Sequence, residues 1–467
     1  MNISLAEIGK FLGAELRNFA SGDDIVLRNV LTDSRADLHG ALFVALKGEN
    51  FDAHNFLDKA VEAGAVALCI NKNVPIELYQ NIKIPILAVD DTLLAYQKIA
   101  NFHRRSFKNL IVVGVTGSVG KTSTKEILKA VGIKKFGEEA TLYTLGNTNN
   151  QVGVPQNLLR LNENHRIAII EMGTNHFGEI KPLSLCAEVD YAIINSVAPC
   201  HLENLIDLAG VAKEKSDIFV GAKAGGYAIF ANDIPHKEIL LQKAKEYSLK
   251  VKTYGKYDES NAYSIEYSGG SLQESSFLLI NHGKAVSTPV KWQITGEHQA
   301  CNAAGAAIVG SLIGLSDLEL SEAFANATLS GMRMKKTSLN GVTYLNDAYN
   351  ANPASMRATL ANLKSIAEDK KVILILGDML ELGVDAVNQH IQILRFALEN
   401  LPESLIIAVG PLMKEAGQNL TAQNLIFAEN SLSAGELLTQ YTDENTLVFL
   451  KGSRGMKLEN AIPAEAR

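Results

Sequence analysis

Between Gly114 and Ser123 the chain reads GVTGSVGKTS: glycines at 114, 117 and 120, then Lys121 and Thr122. Residues of these types suit one kind of chemistry. Small side chains let backbone N–H groups close on an anion, a lysine meets the β- and γ-phosphates of a nucleotide, and a hydroxyl ligates magnesium. The common form of such a loop, G-x-x-x-x-G-K-[ST], would need a glycine where Val115 stands, so the spacing here is G-x-x-G-x-x-G-K-T. Apolar IVVGV precedes the glycines and TSTKEILKAVG follows in a helical pattern, which predicts a strand-to-helix turn. There the positive helix end and free amides converge on phosphate. A structural glycine turn with a solvated lysine is the bland alternative, and the flanking strand and helix weigh against it.

Further candidates fall at the ends of neighbouring apolar runs, where ligands of open α/β sheets collect. Glu171 ends RIAIIE, and His201 follows DYAIINSVAPC. Each alone is as readily a capping carboxylate or a structural histidine; together, beside a phosphate loop, they suggest a metal site. Lys215, in LIDLAGVAKEKSDIFVGAK, shares a helical face with Leu208, Val211, Ala212, Ile218, Phe219 and Ala222. A lysine on such a face ordinarily snorkels its charge to water. The sharper reading is a modified or catalytic lysine.

The elements that must carry these residues follow from the rest of the chain. At 467 residues, and about 150 residues per domain, roughly three domains are expected. The first ninety residues hold short elements (ALFVAL, FLDKAVEAG, AVALCI), and TLLAYQKIANFHRRSF behind Asp91 reads as a linking helix. From Leu110 the unbroken apolar runs IVVGV, RIAIIEMG, DYAIINSV and GGYAIFAND predict a parallel sheet buried on both faces. A more polar β-like section from Lys250 to Thr295 precedes the helix of HQACNAAGAAIVGSLIG. After LSGMRMKK the pattern restarts with VTYLNDAYN, KVILILGDM, SLIIAVG and TLVFLKGSRG, four strand-then-loop units of a second doubly wound sheet. The division is 1–90, 91–329 and 330–467. In NANPASM, Asn352 and Pro353 suit the N-cap and first position of a helix aimed at the cleft.

Composition narrows the classes. A net charge of −7 argues against a nucleic-acid partner, which requires a broad basic face. Four scattered cysteines (Cys69, Cys186, Cys200, Cys301) without a C-x-x-C pair fit a reducing cytoplasm better than a disulfide or zinc scaffold. MNISLAEIGKFLGAEL lacks the layout of a signal peptide, and AAGAAIVGSLIGL is shorter than the about 18 residues of a membrane span. The expectation is a cytoplasmic monomer.

Taken together, GVTGSVGKTS, TLGNTNNQVGVP, EMGTNHFGEI, NSVAPCHLENL, GVAKEKSDIF, GEHQACNAAGAA, GMRM, NDAYNANPASM and KGSRGMKLE resemble the Mur ligases of bacterial cell-wall synthesis, in order and in spacing. G-x-T-G-x-x-G-K-T is that family's version of the loop. The resemblance implies three α/β domains: a small UDP-binding domain, a central P-loop ATPase-like domain with a mostly parallel sheet, and a C-terminal Rossmann-like domain. DAYNANPASM is similar to the member that joins D-alanyl-D-alanine to a UDP-N-acetylmuramoyl tripeptide using ATP and magnesium. A sister ligase, which adds the third peptide residue, usually carries D-N-P-[RK] in its last domain, absent from this sequence. Folylpolyglutamate synthases share the central fold, but their loop lies near the N-terminus, whereas about 110 residues precede it here. Outside ligases the alternative is a nucleotide-dependent switch ATPase, which needs a partner surface that no segment identifies.

Residue by residue, the resemblance puts Thr116, Gly117, Ser118, Val119, Gly120, Lys121, Thr122 and Ser123 on ATP, with Asn302 near the adenine and Arg333 and Asp347 reaching the nucleotide from the last domain. It gathers Thr122, Glu171 and His201 around magnesium and makes Lys215 an N-carboxylated lysine, a carbamate derived from CO2. Lys121, Glu171, His201 and Lys215 form the implied catalytic set. Ser34 and Arg35 would serve the UDP end, with Asn149, Asn150, Asn350 and Asn352 on the muramoyl-peptide and dipeptide side. Ala53 and Ala41 stand where the family usually has a glycine and an acidic residue.

Overall fold

A computed structural model describes residues 3–19 and 25–467. Among these, the strands form a five-stranded, a nine-stranded and a six-stranded sheet beside one two-stranded pair. The five-stranded sheet runs from Glu15–Arg17, beside Ile86–Val89, to Asn29–Leu31 at its other edge, parallel except for its antiparallel edge at Glu15–Arg17. Helix Thr92–Arg105 follows, capped by the Asp91 carboxylate accepting from Leu94 N at 2.9 Å. It is tied to the next unit through its buried Asn101 and Arg104, which donate to the carbonyls of Cys186 and Ala187.

The nine-stranded sheet places Ile111–Thr116 between Ile167–Glu171 and Tyr191–Ile194, all parallel. Alternation along these buried strands feeds two cores. Val112, Ala168, Ala192 and Ala228 pack on one face, and Val113, Val115, Ile169, Ile193 and Ile229 on the other, beneath helix Glu297–Leu312. The polar section after Lys250 is not a separate unit. Lys250–Lys256 and Tyr263–Gly270 extend the sheet in parallel, and Ser275–Asn281 and Val286–Trp292 close its edge as an antiparallel meander.

The six-stranded sheet adds two strands to the four anticipated from apolar runs. Lys335–Leu339 (KKTSL) is an antiparallel edge strand with too few apolar residues to stand out, and Leu425–Ala428 is only four residues long. Its interior strands again split their side chains, with Leu374, Leu376 and Phe449 on one face and Ile373, Ile375 and Val448 on the other. No described helix is long and apolar enough to cross a membrane, and all four cysteines are free.

Candidate active site

Parallel strands end together, and their carboxyl ends here bring the loop to its neighbours. Glu171 lies level with Val115, and Ile194 with Thr116, across adjacent strands. The order also reverses at this point: the chain passes from Ile111–Thr116 outward to one side, then returns to the other, the crevice in which open α/β sheets take ligands. Gly117 (φ 151°) and Gly120 (φ 85°) make the turn; a Cβ on Gly117 would lie 3.1 Å from the Ser196 nitrogen, so the backbone is as close as glycine permits. Helix Lys121–Phe136 starts there, and its first-turn amides have no intrahelical acceptor. Ser118 and Val119 are anchored from the facing loop: Ser118 N and Val119 N donate to Ser196 O and Oγ at 3.0 and 2.9 Å. Lys121 Nζ folds back to donate to Gly117 O at 2.7 Å.

A cavity of about 820 Å³ opens over this turn. Ser118 to Ser123, Glu171, His201, Asn149, Asn150 and Asn302 line it from the central sheet, and Arg333, Asp347, Asn350 and Asn352 from the C-terminal sheet. Thr122 Oγ1 donates to Glu171 Oε2 at 2.9 Å, Asn149 Nδ2 donates to Glu171 Oε1 at 2.8 Å, and Arg333 Nη2 reaches Thr122 Oγ1 at 3.0 Å. Arg333 therefore spans the two sheets, its guanidinium 3.9 Å from the centre of the Tyr349 ring. Asn352 caps helix Pro353–Ile366 with a reciprocal capping box to Ser355, and Pro353 occupies its first turn, as the sequence predicts. Asn150 spends its side-chain oxygen on Gly153 N at 2.9 Å, fixing the entry of helix Gly153–Leu158. Ser34 and Arg35 lie apart, on a turn after strand Asn29–Leu31, where Arg35 pairs with Asp33 and holds that carboxyl down at about 2. Thr116 and Gly117 are not part of the cavity lining, and the buried Thr116 hydroxyl has no hydrogen-bond partner among the described residues.

Relatives with the same whole-chain plan are readily found. The UDP-N-acetylmuramoyl-tripeptide–D-alanyl-D-alanine ligase of Escherichia coli is 33% identical over 99% of this chain and 98% of its own. The chain belongs to the Mur ligase family. The Mur ligase middle domain matches residues 115–310, and the family's glutamate ligase domain matches 332–454. The Bacillus subtilis ligase of the same name is 32% identical over 94% of this chain and 93% of its own. In three dimensions the chain is similar to crystalline MurF from Acinetobacter baumannii (TM-score 0.88, 29% identity, 99% and 98% of the two chains).

In this Mur ligase Lys215 does not snorkel. It lies on helix Leu208–Ser216, only 1% exposed and outside the cavity lining, because the face it shares with Val211 and Ala212 packs inward and leaves no path to water. Burial pulls its pKa down to about 8, with the Lys121 charge adding to the effect. His201 has left-handed backbone (φ 50°), and burial lowers its pKa as well. Its Nδ1 meets the Glu381 carboxylate rather than Glu171 or Thr122. Consistent with that, no group of three or more His, Cys, Asp or Glu among the described residues is arranged to hold a metal ion. The nearest donor set is smaller: Thr122 and the Glu171 carboxylate, itself 2% exposed and without an ion-pair partner among the described residues. Magnesium characteristically takes one or two carboxylates together with substrate phosphate, so these oxygens fit it.

Three residues escape sequence reasoning. Asn195 joins Thr124 of the loop helix to Asn302. Lys451 is buried against Asp347 and donates to the Asn350 carbonyl at 3.3 Å, and the run TLVFLK, an apolar strand ending in lysine, is its only signal. Glu381 has no signal at all. Near Lys451, His298 lines the cavity half-buried, and burial depresses its pKa to about 4 from 6.5. The unfolded chain therefore binds this proton first as pH falls, and the stability contributed by the neutral ring is whole above about 6.5 and lost as pH drops toward 4. His298→Asn should flatten this section of the stability–pH curve in urea denaturation; a variant curve parallel to that of the unsubstituted protein would contradict it.

Proposed function

We propose that this Mur ligase joins D-alanyl-D-alanine to the C-terminal carboxylate of UDP-N-acetylmuramoyl-tripeptide, with cleavage of ATP to ADP and phosphate. The observation that carries the reading is one cavity in which a phosphate loop of the central sheet faces Arg333, Asp347 and the Asn350–Asn352 segment of another sheet. Whole-length likeness to ligases of that name supports the choice of substrates.

A carboxylate does not react with an amine near neutrality, because oxide is a poor leaving group. A tripeptide carboxylate oxygen attacks the γ-phosphorus, ADP leaves, and an acyl phosphate forms. The dipeptide amine then attacks the acyl carbon, loses a proton and expels phosphate, leaving the amide. The chain's share is positioning and charge neutralisation. Thr116 to Ser123 hold the phosphates, with Lys121 on the γ-phosphate, and Asn302 lies by the adenine. Arg333 and Asp347 reach the nucleotide from the C-terminal sheet, which keeps water from the acyl phosphate. Thr122 and Glu171 would hold magnesium, with His201 and a CO2-derived carbamate on Lys215 beside it; the ion when bound neutralises phosphate charge. Asn149, Asn150, Asn350 and Asn352 line the peptide path, and Ser34 and Arg35 serve the UDP end. Residues 1–90, 91–329 and 330–467 thereby divide the work as UDP-peptide, ATP and closing units of a cytoplasmic monomer.

The test is ADP release from the purified full chain. Turnover should require ATP, a UDP-muramoyl tripeptide and D-alanyl-D-alanine together. ATP hydrolysis that ignores both acceptors would instead mark a nucleotide-dependent switch.

A further inference from the structure

We infer that Glu381 is the residue that positions His201, so that the imidazole is fixed only when the C-terminal sheet is seated against the central one. Glu381 follows strand Lys371–Gly377 of the C-terminal sheet, and its carboxylate meets Nδ1 of His201 across the seam. His201 lines the cavity and Glu381 does not, so Glu381 acts through the ring. An ionised carboxylate only accepts, which places the proton on Nδ1 and leaves the Nε2 lone pair for the cavity.

Both sides of this contact are built. On the C-terminal side, Met379 N donates to Nε2 of the buried His390 at 2.8 Å, Leu380 N to Ser453 Oγ at 2.9 Å, and Ser453 N to Asp378 O at 3.0 Å. The loop that presents Glu381 is therefore pinned from two directions. On the central side, the short helix Leu202–Leu205 is bracketed by His201 (φ 50°) and Ile206 (φ 69°, ψ −64°). Asp207 N donates to Leu205 O at 2.8 Å, which closes a γ-turn around a β-branched residue whose side chain is 75% exposed. Such a turn is strained, and strain of this kind persists where surrounding contacts over-determine it. Glu381 supplies one such contact from the opposite unit.

The inference rests on the proposed placement of His201 by the phosphates. Its test therefore uses two readouts on the full chain, with Glu381→Ala and Glu381→Gln variants confirmed as folded by thermal melting. The first is the ring-nitrogen NMR signal of His201, assigned by its loss in His201→Asn. The unsubstituted protein and Glu381→Gln, whose amide oxygen still accepts, should show the Nδ1–H tautomer, and Glu381→Ala a mixture. The second is steady-state ligation. Glu381→Ala should lower kcat by about 10- to 100-fold and raise the magnesium needed for half-saturation, with KM for the UDP-peptide unmoved and partial rescue in Glu381→Gln. His201 signals identical in all three proteins would overturn the inference, as would equal kcat losses in the Ala and Gln variants. Failure of the unsubstituted protein to ligate would instead remove the proposed function and leave the NMR comparison to decide the role of Glu381.

Discussion

Lys121→Ala is expected to fold normally and to lose at least about 100-fold in ADP formation, the usual cost of removing one charge contact to a reacting group. The fold should survive because the side chain is only half-buried and its one observed bond is to the Gly117 carbonyl within its own loop. The activity should not, because the amides of the loop are already partly committed. Those of Ser118 and Val119 are taken by Ser196, which leaves the first turn of helix Lys121–Phe136 and the ammonium to meet phosphate. Thermal melting together with an ADP-release assay checks both halves, and near-normal turnover in a folded variant would rule out the assigned role.

Lys215→Ala should be nearly inactive and partly rescued by added acetate. The reason begins with burial: an ammonium held inside is costly, and its pKa of about 8 keeps far more neutral amine available than an ordinary lysine has. A neutral amine adds CO2 to give a carbamate and a proton, which exchanges a buried cation for an anion with two oxygen donors of the kind magnesium takes. Acetate can occupy the space left by the truncated side chain and restore those oxygens. The unsubstituted enzyme should also lose activity when CO2 and bicarbonate are rigorously removed and regain it on their return. Activity indifferent to CO2, with no acetate rescue, would return Lys215 to the role of a buried amine.

Local rules make several features legible in the amino-acid sequence. The phosphate loop can be placed because a strand, glycines and a helix are contiguous in the chain, and the Asn352–Pro353 start of helix Pro353–Ile366 because capping is decided within four residues. The parallel strands around the loop are legible as unbroken apolar runs, a direct consequence of burial on both faces. Polar or short edge strands are not: Lys335–Leu339 and Leu425–Ala428 are strands because a neighbouring strand offers them hydrogen bonds, a property of the neighbour and not of KKTSL or LIFA.

Lys215 marks the boundary between the two kinds of information. Its spacing sets it on an apolar helical face, and two outcomes fit that face equally well, a charge reaching water or a buried amine. Packing of helix Leu208–Ser216 chose the second, since whether four methylenes reach solvent depends on what lies around the helix. The same holds for contacts between distant segments. Arg333 on Thr122, Lys451 on Asp347 and Glu381 on His201 join residues 211, 104 and 180 positions apart. Residue type and spacing along the chain determined the loop, its strand and its helix, because those interactions are local. Which side chains from the C-terminal sheet meet them was decided by the tertiary structure, because Arg333–Thr122 and Glu381–His201 form only when separately folded layers dock.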